Sequence, residues 1–283
     1  MNAGLPAQLV ATRVNDRVVV FSTGGETLAT SFGANAVAVL GDGETLLVDP
    51  LVAPAYAREL KRRLEALGAG PVRWVVTTHH HTDHSVGASV FAAEGAEVIS
   101  HAVAAQRMAE EHPGLLAERK GSADVGPLFT DAVPTIPTRL VTAPIELRVG
   151  AVRIVVRPCG PAHTPGDLRV DLPDLGVVVT GDLVSHRYHP NLEHADVTGW
   201  RRGLADLLAS GATTFVPGHG APGGREIVEA QVEWFDAAEE AVRAALAEGR
   251  GGEGAEERIR QRFPGFRLGI VVPTAVEVLR ARG

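Results

Sequence analysis

The chain has 283 residues, 45% hydrophobic and 22% charged, enough for a full core in one large α/β domain or two smaller ones. A formal charge of −7 removes the electrostatic case for nucleic acid. One cysteine, Cys159, excludes an internal disulfide, no run of about 18 apolar residues offers a membrane span, and the start M-N-A-G-L-P lacks the basic opening of a signal peptide, so a cytoplasmic protein is expected.

Taken in order, Arg17–Phe21 and Ala36–Leu40 read as short β-branched strands. The second turns through Gly41-Asp42-Gly43 into Thr45–Val48, a hairpin ending in Asp49-Pro50. From Pro54 a helical pattern places Leu60, Leu64 and Leu67 on one face and stops at Gly68. The strand Val72–Val76 leads into T-T-H-H-H-T-D-H-S, a helix over Val86–Ala93 follows, and Glu97–Ser100 completes the unit. His101 to about His112 reads as a helix stopped by Pro113-Gly114. Leu115–Pro144, broken by four prolines, reads as an irregular flap of the kind that covers a site.

Ile145–Val149 pairs with Val152–Val156, and Leu168–Leu172 with Gly176–Thr180. A helix over Trp200–Ala209, a strand over Thr213–Val216, a long amphipathic helix over Arg225–Glu248, an exposed Gly- and Glu-rich piece over Gly249–Glu257 and a last helix near Val272–Arg282 finish the chain. No linker divides it. The expectation is one domain over 1–283, with two similar halves, roughly 1–140 and 141–283, in a four-layer α/β/β/α sandwich.

The chemistry concentrates where strands end. His79 and His81, two apart in an extended stretch, point to one side, and Asp83 and His84 follow at once. Four ligand-type residues in six positions call for a divalent cation. His163 in C-G-P-A-H-T-P-G, Asp182 in V-V-V-T-G-D and His219 in F-V-P-G-H-G each follow an apolar strand beside Gly or Pro. An edge where several strands end is where such residues converge.

H-x-H-x-D-H, H-T-P-G, T-G-D and P-G-H-G, in that order over residues 79–219, resemble the metal motifs of the metallo-β-lactamase superfamily. The resemblance implies the αββα fold and two metals, Zn²⁺ foremost, with Fe or Mn also suited to these donors. His79, His81 and His163 would hold the first, and Asp83, His84 and His219 the second, with Asp182 between them and Asp83 also orienting the nucleophile. Two such ions about 3.5–4 Å apart lower the pKa of a shared water toward about 7. The implied activity is hydrolysis of a small carbonyl substrate, a thioester, lactone or other ester. Asp182, where β-lactamases of the superfamily usually carry Cys or Ser, disfavours an antibiotic hydrolase. A mononuclear iron dioxygenase of the same fold and a metal-binding accessory protein without turnover are the alternatives.

Other residues carry weaker expectations. Asp49 either hydrogen-bonds a ligand histidine or caps its strand. His80 is expected to be structural or exposed, His101 and His112 to be surface residues, and Cys159 to be a strand-end residue rather than a ligand. In the loop His186–His194, His186, Tyr188 and His189 either line the cleft or are solvated. Met108, Leu115, Leu116, Leu128 and Phe129 either cover the site or join the core, and the apolar line along Arg225–Glu248 serves packing or a homodimer. Arg258, Arg260, Arg262 and Arg267 form either a glutathione-binding patch or a solvated basic face.

Overall fold

The computed structural model describes residues 7–282; the signal-peptide reading of M-N-A-G-L-P lies outside them. The first sheet runs in chain order through β1 (Val10–Arg13), β2 (Val18–Ser22), β3 (Asn35–Leu40), β4 (Thr45–Val48), β5 (Val72–Val76), β6 (Glu97–His101) and β7 (Arg139–Val141). Its first three pairings are antiparallel and the pairings from β4 to β7 are parallel. The second sheet has the order β12-β11-β10-β9-β8, from β8 (Ile145–Val149), β9 (Val152–Pro158), β10 (Leu168–Leu172), β11 (Val177–Ser185) and β12 (Thr214–His219), with only β11 and β12 parallel.

Side-chain alternation builds the layers. Val18, Val20, Val37, Val39, Leu46 and Val48 point between the sheets, where they meet Ile154, Val156, Val170, Val177 and Val179 of the second sheet. Their neighbours Val19, Phe21, Ala36, Ala38 and Leu47 face outward, onto α1 (Pro54–Ala66), α3 (Ala88–Ala93) and α4 (Ala102–Gly121), with the short α2 (Thr82–Ser85) at the strand ends. Val178 and Phe215 on the far side pack on α5 (Val197–Ala209), α6 (Arg225–Ala247), α7 (Gly251–Arg262) and α8 (Val272–Arg280). The result is the expected α/β/β/α sandwich. Trp200 and Trp234, both fully buried, anchor the second helical layer.

Several stretches differ from the sequence reading. Helix α4 does not stop at Pro113 but runs to Gly121, because Ala104, Met108, His112 and Leu116 recur every four residues and bury one continuous stripe. The proline sits on the exposed side, where the carbonyl it leaves unpaired, that of the exposed Ala109, can be solvated. The flap is therefore largely ordered structure: the end of α4, a 3-10 turn over Gly126–Phe129 and the edge strand β7. Leu128 and Phe129 join the outer core. From Gly251 on, the Gly- and Glu-rich piece is the start of α7 rather than an exposed stretch, with its Gly254 and Ala255 buried. No described helix is long and apolar enough to cross a membrane.

Candidate metal centre

Asp49 directly follows β4, Thr78 and His79 follow β5, and His163 lies on the loop after β9. His219 ends β12, and Asp182 lies inside β11, which runs on past the expected end at Thr180 to Ser185 through an irregular register at Gly181. That glycine has φ +52°, and a Cβ there would crowd the Thr78 side chain at 2.7 Å. At Gly218 in β12 a Cβ would overlap the Asp182 carboxylate, so the strand passes this close to Asp182 only because Gly218 has no side chain. Asn35 secures the end of β12, its amide donating to the carbonyls of Pro217 (2.8 Å) and Gly220 (2.7 Å).

All seven residues singled out by the sequence come together. Their ligand atoms form three linked triads, His79/His81/His163, His79/His84/Asp182 and Asp83/His84/His219, each within 4.8 Å. His163 Nε2 is 3.0 Å from His81 Nδ1, and Asp182 lies 3.3 Å from both His84 Nε2 and His219 Nε2. Each imidazole has its outward nitrogen already engaged. His84 Nδ1–H donates to Asp49 Oδ2 at 2.9 Å, His163 Nδ1–H to the Asn191 carbonyl at 3.1 Å, and His219 Nδ1–H to the Phe32 carbonyl at 3.1 Å. Thr78 spends its only proton on Asp49 (2.7 Å), so its oxygen accepts from His79 Nδ1–H at 3.0 Å. His81 Nε2–H points at His194 Nδ1, 3.0 Å away. In the neutral form of each ring, the inward nitrogen is thereby left with a lone pair facing the same small volume.

That volume fits cations. His79 Nε2 and Asp182 Oδ1 are fully buried with no hydrogen-bond partner, a state that a metal relieves. Burial pushes the His79 and His81 imidazoles well below their ordinary pKa and His163 down to about 4, so all three are neutral ligands near neutrality. Burial also opposes charge on His84 and His219. There the carboxylates of Asp182 and Asp83, joined by Asp49 for His84, outweigh it and hold both above the usual imidazole range.

The open expectations resolve individually. Asp49 is a hydrogen-bond hub behind the cluster, taking Thr78 N–H and O–H and His84 N–H. His80 is buried rather than exposed and lies beside His81 and His194, outside the seven. His112 is not a surface residue: the stripe of α4 buries it, and its Nε2–H donates to the His80 carbonyl at 2.8 Å. His101 caps its own helix, its Nδ1 accepting from Val103 N–H, and Cys159 sits half-buried after β9, apart from the cluster. Tyr188 and His186 turn to another hollow beside Arg267, whereas His189 lines the cleft. Arg258, Arg260 and Arg262 are paired with Glu248, Glu256 and Glu233, and so form a solvated face.

The cluster opens into a cleft of about 450 Å³. His189 presents a fixed donor there. The Trp234 indole N–H, which can only donate, engages His189 Nδ1 at 3.1 Å, which leaves the proton on Nε2. Burial lowers the pKa of His189 to about 4, so it stays neutral. No role for Thr78, His194 or Trp234 could be read from the sequence. Thr78 directly precedes His79 and His194 closes the loop that follows Asp182, but spacing alone pairs neither with a ligand histidine.

The family model for the metallo-beta-lactamase superfamily matches residues 29–219. Among solved structures, a metallo-beta-lactamase from Pontibacter korlensis has a TM-score of 0.66 at 20% identity, over 80% of this chain and 98% of that one. One from Erythrobacter litoralis has a TM-score of 0.62 at 19% identity, over 80% and 95%. Likeness at that identity establishes the fold. Two curated relatives from Nocardioides sp. (strain JS1661) are the alpha and beta subunits of a 2,4-dinitroanisole O-demethylase, 25% and 27% identical over 75% and 66% of this chain. The matches span 60% and 53% of those subunits' own lengths. With its αββα sandwich, its His/Asp cluster at the strand ends and a family match over well more than half its length, the chain belongs to the metallo-beta-lactamase superfamily.

Proposed function

We propose that the chain is a dinuclear metal-dependent hydrolase of small carbonyl substrates: thioesters, lactones or other esters. The observation that carries this reading is the convergence of seven ligand-type side chains on one volume, two carboxylates and five imidazoles whose outward nitrogens are already committed. His79, His81 and His163 would hold one cation and Asp83, His84 and His219 the other, and Asp182, 3.3 Å from both His84 and His219, would complete the donor set. Cations bound there supply a water of lowered pKa and a Lewis acid for the carbonyl oxygen.

The chain's own groups do the rest. Asp83 borders both the cluster and the cleft, where its carboxylate orients the attacking water and takes up its proton for the leaving group. His189 Nε2–H donates to a substrate oxygen, a neutral donor whose tautomer Trp234 fixes. Phe32, Leu115, Leu268 and Val271 supply apolar wall. The names of the Nocardioides relatives support adding aryl methyl ethers to the candidates. The test is turnover by zinc-, iron- and manganese-loaded protein against a panel of thioesters, lactones, aryl esters and 2,4-dinitroanisole. Hydrolysis of one class that a chelator abolishes and added metal restores is expected. Oxygen consumption without hydrolysis, in iron-loaded protein only, would replace this reading with the dioxygenase.

A further inference from the structure

Arg119 stands apart from the other arginines around the site. It lies in the last turn of α4, reaches the cleft and stacks over the Phe129 ring, 5.5 Å from guanidinium carbon to centroid. Arg107 on the same helix holds Glu111 at 2.9 Å, but no carboxylate of the described residues comes within 4.0 Å of Arg119. Its Nη1 is buried without any hydrogen-bond partner. A permanent charge with one buried, unsatisfied N–H is costly unless a partner arrives. The helix C-terminus and the Phe129 face both favour a cation here, yet neither supplies an acceptor to Nη1.

The charges around it narrow what that partner is. Asp83 supplies the strongest negative field at Arg119, ahead of the exposed Glu118, and on the hydrolase reading its carboxylate is committed to a cation. Glu111 is held by Arg107, and Glu193 is exposed at the mouth. With metals in place, this wall of the cleft is cationic beside apolar Leu115, Ile270 and Val271.

We infer that Arg119 is an anion-binding subsite of the cleft and that the substrate carries a carboxylate or equivalent oxyanion on a short apolar body. The guanidinium takes the anionic group through parallel N–H···O bonds while the reacting carbonyl lies at the metal centre. This deepens the hydrolase reading and rests on it for the carbonyl end.

The test separates the two. Binding of acetate, succinate, glutarate and adipate to zinc-loaded protein is measured by calorimetry for the wild type, Arg119→Met and Arg119→Lys. Metal content and thermal midpoint are checked in each, and Arg119→Lys preserves the charge should the Met variant be unstable. At least one diacid should bind the wild type about tenfold or more tightly than acetate, the gain expected of a charge-assisted pair. Arg119→Met should remove that advantage with acetate binding unchanged, and Arg119→Lys should keep part of it. Equal binding of acetate and every diacid by the wild type, or a diacid advantage that survives in Arg119→Met, would overturn the subsite. Mono-4-nitrophenyl glutarate and 4-nitrophenyl acetate are then assayed for hydrolysis. Turnover of neither, with the diacid advantage intact, removes the hydrolase reading and leaves the subsite standing.

Discussion

Replacing Asp49 with Asn tests whether the centre is held from behind. Asp49 is 2% exposed and accepts from Thr78 N (2.7 Å), Thr78 Oγ1 (2.7 Å) and His84 Nδ1 (2.9 Å). Its φ is +54°, a left-handed conformation that Asn tolerates as well as Asp does, so the exchange leaves the backbone at ease. Asn can still accept from Thr78 N–H, but the NH₂ that replaces Oδ2 accepts from neither the Thr78 hydroxyl nor His84. The hydroxyl can turn away, whereas His84 Nδ1–H is left buried and unpaired, which costs about 1–3 kcal/mol. His84 then loses the bond that aims Nε2 inward, and loss of such a partner typically weakens metal affinity by about 10–100-fold. The assay is competition with a chromophoric chelator, resolving the weaker of two zinc ions, alongside thermal unfolding of the metal-free protein. The second zinc should weaken by about that factor and the metal-free midpoint should fall. Two zinc ions bound with wild-type affinity would refute the hub.

Three further outcomes follow from the same geometry. His194→Ala should weaken the His79/His81/His163 site by about tenfold, because His81 Nε2–H loses its acceptor at 3.0 Å; chelator competition reads this. Gly181→Ala should destabilise the fold by about 1 kcal/mol or more, since φ is +52° and the new Cβ meets Thr78, and denaturant unfolding checks it. Metal uptake near neutral pH should release protons, because His84 and His219, held above the usual imidazole range, must give theirs up first. Affinity should accordingly fall as pH is lowered, and calorimetry in buffers of different ionisation enthalpy counts the protons.

Much of the centre was legible because its ligands sit at fixed short spacings, directly after strands whose apolar runs stand out. His79, His81, Asp83 and His84 need only a strand end and one turn of helix to converge. His163, Asp182 and His219 need the two sheets to stack, which the alternation along β2, β3 and β4 encodes. What escaped depends on distant partners. Pro113 looked like a helix end because propensity is local, while the stripe from Ala104 to Leu116 that carries α4 through it is satisfied only against the sheet. His112 was misplaced for the same reason. Asp49 had two readings until Thr78 and His84 stood around it, and neither His194 beside His81 nor Trp234 behind His189 leaves any mark in spacing.

The measurement that bears most directly on the dinuclear centre is metal content per chain, by elemental analysis, of wild type and Asp182→Ala purified without added metal. The wild type should carry nearly two ions, and the variant one ion with most turnover gone, since Asp182 lies 3.3 Å from both His84 and His219. Two ions and full activity in Asp182→Ala, or a wild-type protein that is metal-free and refuses reloading, would contradict the dinuclear centre.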